Sequence, residues 1–195
     1  MSHKQTPSQT VGPYFAYGLT PGQYNYRFAE VASGSMADDK VAGEHIRIIG
    51  QVLDGEGVPI NDAMIELWQA DATGRYAGDS DVRANTGFSG FGRFGTGTDE
   101  ENRFIFDTVK PGSVENGAAP HVSIIVFMRG MLTHAYTRAY FSDEVEANAN
   151  DPVLSSVPEG RRETLVAMRN EEDGNVTYRF DIHMQGDAET VFFDV

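Results

Sequence analysis

Alternating hydrophobic and polar positions run through much of the chain and predict β-strands. In VTYRFDIHM, residues 176–184, every second side chain from Val176 to Met184 is apolar or aromatic, and the side chains between them are polar. A period of two is typical of a strand with one buried face. Similar patterns occupy residues 45–54, 63–71, 103–109, 121–128, 134–141 and 189–195.

Turn-forming pairs separate several of these stretches, among them Asp54-Gly55, Pro111-Gly112 and Asp173-Gly174. Short turns favour antiparallel strands, since parallel strands need long crossover connections. We therefore predict an all-β, mainly β fold with an antiparallel β-sandwich core, short helices, long loops and an extended N-terminal arm.

Helical signals are few. Ser142, which two acidic residues follow, predicts the N-terminus of a short helix that Pro152 would stop. A second helical piece is predicted over residues 159–168. Residues 77–102 are rich in Gly, Ser, Asp and Asn, and they predict one long ordered loop.

Length and composition indicate one domain. The chain has 195 residues, of which 40% are hydrophobic, enough for a sizeable core. We expect residues 1–195 to form that single domain, with residues 1–40 as its N-terminal arm.

The absence of cysteine excludes disulfides, thiolate metal sites and a cysteine nucleophile. Residues 1–9 hold no apolar segment and no apolar run reaches bilayer length, so we expect a soluble, cytoplasmic protein.

The formal net charge of −14 argues against nucleic acid and anionic membranes as partners. A small organic acid would need a local cation to offset this field. Arg129 is a candidate, because it lies in apolar sequence and a guanidinium matches a carboxylate with two parallel hydrogen bonds. An internal salt bridge would explain the same residue equally well.

The stretch APHVSIIVFMRG, residues 119–130, raises the question of a metal site. Alternation places His121, Ser123, Ile125 and Phe127 on one face of a strand, and Arg129 continues that parity if the strand runs on. A lone histidine is either a metal ligand or a hydrogen-bonded core residue, and serine is a poor ligand for iron or zinc.

Other polar and aromatic residues leave similar alternatives open. Tyr76 follows a glycine-containing turn and is either a packed aromatic or a phenolate ligand. His134 and Arg138 share a strand face with Tyr136 and Tyr140, and this face is a pocket rim, an interface or a solvated surface.

The N-terminal segment TPSQTVGPYF, residues 6–15, predicts an extended arm, because proline fixes φ and removes hydrogen-bond donors. Its two aromatic residues favour docking on the domain or on a neighbouring subunit.

Five motifs together resemble the intradiol ring-cleaving dioxygenases. They are TPSQTVGPYF, GQVLDGEGVPINDAMIELWQADATGRY at 50–76, TVKPG at 108–112, APH at 119–121 and RFDIHMQGDAETVFFDV at 179–195. The resemblance implies a β-sandwich of the intradiol dioxygenase type and a non-haem Fe(III) centre with two tyrosinates and two histidines. It also implies a catechol substrate. Dioxygen opens the ring of this substrate to give a diacid.

The ligand pattern of the family is only half present. By the resemblance, Tyr76 stands at the first tyrosine and His121 at the first histidine of a His-x-His pair, but Ser123 holds the second histidine position. Residues 112–120 contain no tyrosine for the second phenolate. We therefore expect no metal ligands and no catalytic residues in this chain, and Tyr76, His121 and Ser123 mark a degenerate site.

The resemblance is strongest to the subunit that binds no iron in two-subunit members of the family. It implies a homologous beta subunit that holds the Fe(III), and a hetero-oligomer of alpha-beta units. In that assembly Thr10, Gly12, Pro13 and Tyr14 would line the partner's pocket, and Arg129 would hold the carboxylate of 3,4-dihydroxybenzoate.

Two other functions stay open at this point. A self-sufficient dioxygenase would combine His121 and Tyr76 with unusual ligands such as His134 or His183. A scaffold subunit would use the same fold without any part in the reaction.

Overall fold

The structure is a computed structural model in which residues 11–12, 14–77, 87–114 and 117–194 are described. Within these ranges the chain forms nine strands. They are β1 (His45–Leu53), β2 (Met64–Gln69), β3 (Phe91–Gly95), β4 (Arg103–Val109), β5 (His121–Phe127), β6 (Ala135–Phe141), β7 (Val166–Glu172), β8 (Asn175–Arg179) and β9 (Ile182–His183).

The strands follow the order β3-β2-β5-β6-β7-β8-β1-β4, and β9 continues alongside β1. Strands β4, β1 and β8 form one layer and β3, β2, β5 and β6 form the other, because the residues of both groups meet in one core. Strand β7 links the layers, pairing with β6 at one end and with β8 along the rest. The predicted β-sandwich is confirmed, although β1 pairs in parallel with β8 and β9, and β6 with β7.

Inward-facing side chains of alternate positions fill the core between the layers. The largest buried group includes Ile46, Ile48, Ile65, Leu67, Phe104, Phe106, Val122, Ile124, Phe141 and Tyr178. These residues follow the period of two in the sequence, and their burial is the main source of stability for the sandwich.

The helices are short. They are α1 (Phe15–Leu19), α2 (Val145–Asn150) and α3 (Pro152–Ser156), with 3-10 turns at Pro21–Tyr24, Thr96–Thr98 and Glu159–Leu165. In the described part of the chain, none of them is long and apolar enough to cross a membrane.

The predicted helix after Ser142 is found, but its details differ. Helix α2 begins only at Val145 and ends before Pro152 as expected, while Pro152 itself opens α3. Ser142 does not cap α2, because its hydroxyl accepts the backbone N–H of Arg169 at 3.0 Å. The side chain that does cap a helix is Asp151, at the start of α3.

Two predictions of irregular or helical structure hold only in part. The predicted helical piece 159–168 is a 3-10 helix over Glu159–Leu165, and its last three residues enter β7, where Val166 pairs with Tyr140. The predicted loop 77–102 contains β3, in which Gly92 lets Met36 and Phe106 approach the backbone closely. Residues 78–86 of that predicted loop lie outside the described ranges.

Two predicted strands are interrupted or absent. The 176–184 pattern is split into β8 and β9, because the carboxylate of Asp181 accepts the N–H of Gln51 at 3.0 Å where the backbone ladder is broken. In the described part of 189–195, pairing is limited to an isolated bridge between Phe193 and Tyr136.

Candidate functional site

The outer face of β5 carries the predicted site residues in two separate groups. His121 begins the strand, whereas Arg129 lies two residues beyond its end at Phe127. A strand of this length spans roughly 20 Å, at about 3.3 Å per residue. The structure therefore does not bring Arg129 to the degenerate ligand position of His121.

Arg129 and the N-terminal arm meet in one cavity of about 520 Å³. Its walls include Val11, Gly12, Tyr17, Asp62 and Arg129. Gly12 has open space around its Cα, so the backbone here can approach a flat ring closely. This cavity is the arm cavity of the following paragraphs.

Of the remaining predicted arm residues, only Tyr14 is described, and it is not among the residues that line this cavity. Tyr14 is 81% exposed and its ring lies 6.4 Å from that of Tyr17, which does line the cavity. Thr10 and Pro13 fall outside the described residues.

Local contacts fix the described arm residues at this end of the sheet. The ring of Phe15, at the start of α1, lies 5.9 Å from that of Phe127 at the end of β5. The side-chain amide of Gln23 donates to the carbonyl of Gly95 at 2.9 Å and accepts its N–H at 2.8 Å, so it docks on the edge strand β3 like a strand residue. The arm therefore has a defined position beside Arg129.

Arg129 forms an ion pair with the carboxylate of Asp62. The arginine side chain is 70% exposed, and that of Asp62 is 29% exposed. The salt bridge foreseen as an alternative is present, yet most of the guanidinium surface still faces the cavity and solvent. Sequence reasoning missed Asp62, because nothing local links residues that are 67 positions apart.

His121, the histidine of the degenerate position, is buried. Its Nδ1 donates to the carbonyl of Ala119 at 2.7 Å, since a carbonyl can only accept, and this fixes the proton on Nδ1. Burial lowers the pKa of His121, and the positive charge of Arg138 adds to this effect. His121 is therefore neutral at physiological pH.

Tyr76 is held in place by the turn before it. The carboxylate of Asp71 accepts the N–H groups of Thr73 and Arg75 at 2.8 and 3.0 Å, which folds the chain back on itself. The ring of Tyr76 then stacks on Trp68 with 5.9 Å between centroids. Burial raises the pKa of Tyr76, so it remains a neutral, packed phenol.

The donor set at this position does not fit a ferric ion. Ser123 directs its hydroxyl to that of Tyr136 at 2.9 Å, where the family pattern would require an imidazole. Across the described ranges, there is no cluster of three or more His, Asp or Glu side chains able to hold a metal ion. One neutral phenol and one imidazole are too few ligands for a ferric site.

The unusual ligands of the self-sufficient alternative lie elsewhere. His134 precedes β6, and its ring is 5.7 Å from Phe127 at the far end of β5. His183 belongs to β9, which pairs with β1 in the other layer. Neither joins His121 and Tyr76.

The sequence is similar to those of known dioxygenases. Residues 11–186 match the family model described as dioxygenase. The protocatechuate 3,4-dioxygenase alpha chain of Burkholderia cepacia is 55% identical over 193 residues, which cover 98% of each chain. The corresponding beta chain of Burkholderia cepacia is 31% identical over 170 residues, covering 80% of this chain and 71% of that one.

A solved structure shows the same fold at much lower identity. The intradiol ring-cleavage dioxygenase from Tetranychus urticae superposes with a TM-score of 0.60 at 16% identity, over 93% of this chain and 94% of that chain. The family match and the near-full-length relatives lead to one conclusion: this chain belongs to the dioxygenase family, in its intradiol ring-cleaving branch.

Proposed function

We propose that this chain is the alpha subunit of an oxygen-dependent enzyme that cleaves 3,4-dihydroxybenzoate to 3-carboxy-cis,cis-muconate. The chain completes the pocket of a homologous beta subunit and supplies no metal ligand or catalytic residue of its own. The Fe(III) belongs to the beta subunit in this proposal, and it provides the catechol binding and oxygen chemistry. The near-full-length identity to an alpha chain supports this assignment.

The observation that carries the proposal is the arm cavity with Arg129 on its wall. Gly12 and Arg129 both line it, as expected for a wall that receives a flat aromatic acid. The cavity lies at the opposite end of β5 from the degenerate position, so its reacting centre would come from another subunit. An exposed guanidinium is suited to a carboxylate, while the net charge of −14 makes a dedicated cation necessary.

Within that pocket the work of this chain is binding and orientation. Arg129 would pair with the substrate carboxylate, Gly12 would allow the ring to approach the backbone, and Thr10, Pro13 and Tyr14 would complete the entrance. Asp62 competes with the substrate for the guanidinium, because both present a carboxylate to it.

The test is to express the chain alone and together with its beta subunit, and to measure iron content and oxygen uptake with 3,4-dihydroxybenzoate. We expect the lone chain to be colourless and inactive, and the complex to be red-brown and active. Iron and ring cleavage in the lone chain would refute the proposal. Equal turnover and substrate affinity of the beta subunit with and without this chain would instead identify a scaffold.

A second measurement tests Arg129 in the complex. Arg129→Ala should raise KM for 3,4-dihydroxybenzoate by roughly 10- to 100-fold, which corresponds to a charge-assisted contact of about 1.5 to 3 kcal/mol. Catechol, which has no carboxylate, should be affected far less. Arg47→Ala is the matched control, because this exposed arginine also pairs with an aspartate but lies on β1 in the other layer. Equal losses with both substrates would make Arg129 a structural residue.

A further inference from the structure

The outer face of the β3-β2-β5-β6 layer carries a row of side chains that strand register brings side by side. Phe91 pairs with Trp68, Trp68 with Ser123, and Ser123 with Arg138. Paired residues in neighbouring strands point to the same face of a sheet. Two aromatic rings, a hydroxyl and a guanidinium thus follow one another across four strands.

A cavity of about 240 Å³ opens along this row. Trp68, Phe91 and Ile125 form its apolar walls, and the hydroxyls of Ser123 and Tyr136 lie between them. These two hydroxyls are hydrogen-bonded to each other at 2.9 Å. We call this space the row cavity; its shape and lining suit a single aromatic ring with one polar group.

The charges on the two sides of the row cavity differ, because one side holds an ion pair and the other a guanidinium without a carboxylate partner in the described part of the chain. At one end Glu66 pairs with Arg93 at 2.7 Å, and both are largely buried, so that end is neutral. Arg138 lies just outside the lining, beside Ser123 in the register; it is half-buried, and its Nε donates to the hydroxyl of Tyr136 at 3.4 Å. Among the described residues Arg138 forms no ion pair with a carboxylate, and a half-buried guanidinium without one favours an anionic ligand.

We propose that the row cavity binds a single-ring aromatic carboxylate. The ring packs against Trp68 and Phe91, and the carboxylate pairs with Arg138 and accepts one hydrogen bond from the hydroxyl, of Ser123 or Tyr136, that does not donate to the other. The cation of this site is a side chain and not a metal, in agreement with the poor fit of its donors to iron. The site is separate from the arm cavity and does not depend on the proposed function.

The chain offers an internal reporter, because Trp68 is its only tryptophan. Benzoate titrated into the purified full-length chain should change the fluorescence of Trp68 to saturation. Benzamide has the same ring but no charge, and it should bind at least about tenfold more weakly, the scale of a lost charge-assisted contact. Unchanged fluorescence with benzoate, or equal binding of the two compounds, would overturn the proposal.

Variants then test the role of Arg138. Arg138→Met should weaken benzoate binding by about tenfold or more, while Arg138→Lys keeps the charge and should retain part of the affinity. Arg47→Met removes one positive charge from the other layer and should leave binding unchanged. Circular dichroism spectra confirm that each variant is folded, and 19F NMR of 4-fluorobenzoate gives the same affinities should a variant alter Trp68 emission. Equal losses in Arg47→Met and Arg138→Met would refute a specific site.

The outcome can be separated from that of the proposed function. Loss of benzoate binding at Trp68 leaves the KM effect of Arg129 intact, because the row cavity and the arm cavity have no lining residue in common. Conversely, a lone chain that binds benzoate at Trp68 but never activates a beta subunit would retain this site and lose the proposed function.

Discussion

Replacing Asp151 should destabilise the packing of the segments that lead into β5, where His121 of the degenerate position lies. Asp151 is fully buried, and its two carboxylate oxygens accept three hydrogen bonds. The donors are the N–H of Leu154 at 2.7 Å, the N–H of Ala119 at 2.9 Å and the hydroxyl of Tyr140 at 3.0 Å. One side chain therefore ties the N-terminus of α3 to β6 and to the segment before β5.

The magnitude follows from these three donors. Asp151→Ala leaves each of them buried without an acceptor, at a cost of about 1 to 3 kcal/mol apiece. The free energy of unfolding should therefore fall by at least about 3 kcal/mol, a large share of the 5 to 15 kcal/mol typical of a domain. For a chain of this size that corresponds to a Tm lower by roughly 6 to 12 °C.

Asp54 provides the matched control. Its carboxylate also accepts two backbone N–H groups, from Glu56 and Val58, both at 2.9 Å, but these bonds are exposed. Water can replace the lost acceptor in Asp54→Ala, so the loss should stay near 1 kcal/mol or below. Thermal and urea unfolding of both variants, followed by circular dichroism, measures the difference. Similar losses for the two variants would refute the reasoning from burial.

Two further predictions concern charged pairs. Asp62→Asn should lower KM for 3,4-dihydroxybenzoate several-fold in the complex with the beta subunit, because Arg129 loses its competing carboxylate; a raised KM in steady-state oxygen uptake would contradict this. Hydrogen bonds from Arg103, together with its positive charge, lower the pKa of Asp99 to about 2. Since the unfolded value is about 3.9, the stability from this pair is complete above that pH and is lost as the pH falls through the folded value. The destabilisation by Asp99→Asn, measured by urea unfolding, should shrink between about pH 6 and pH 3, and equal destabilisation at both would disprove the linkage.

The period of two was sufficient to predict most of the sandwich. Residues 103–109 form β4 with the predicted bounds, and β5 differs from its prediction by one residue. The Asp173-Gly174 pair forms the hairpin turn between β7 and β8, with both residues at positive φ, as the sequence of the turn demands. The local sequence is enough to predict such elements, because their burial pattern and their turn preferences indicate the same structure.

The elements that were missed owe their structure to distant partners. Strand β3 contains Gly92 and Gly95 and shows no clear alternation, and it forms because β2 offers it an edge. Residues 166–168 belong to the predicted helical piece but join β7 through their pairing with β6 and β8. In both cases a pairing partner far along the chain outweighs the local preference.

The candidate sites also contain some features that the sequence predicts and others that depend on distant partners. Residue type singled out Arg129 and the family resemblance singled out Gly12, and the structure places both on one cavity. Alternation within β6 put Tyr136 and Arg138 on one face, but the row from Phe91 to Arg138 depends on the register of four strands. Register between distant segments cannot be read from a single sequence, so neither this row nor the pairing of Asp62 could be predicted.

Ser123 and Arg138 together change the electrostatics of the degenerate position relative to the family pattern. They are register partners, so a metal ion held at the position of Ser123 would lie beside a guanidinium without a carboxylate partner in the described part of the chain. Two like unit charges about 5 Å apart repel by about 3 kcal/mol at an effective dielectric constant of 20, and a trivalent ion would suffer more. A guanidinium in this place therefore opposes a metal even where an imidazole is restored. The same charge attracts a carboxylate, which is why the degenerate position is better understood as an anion site than as an incomplete metal site.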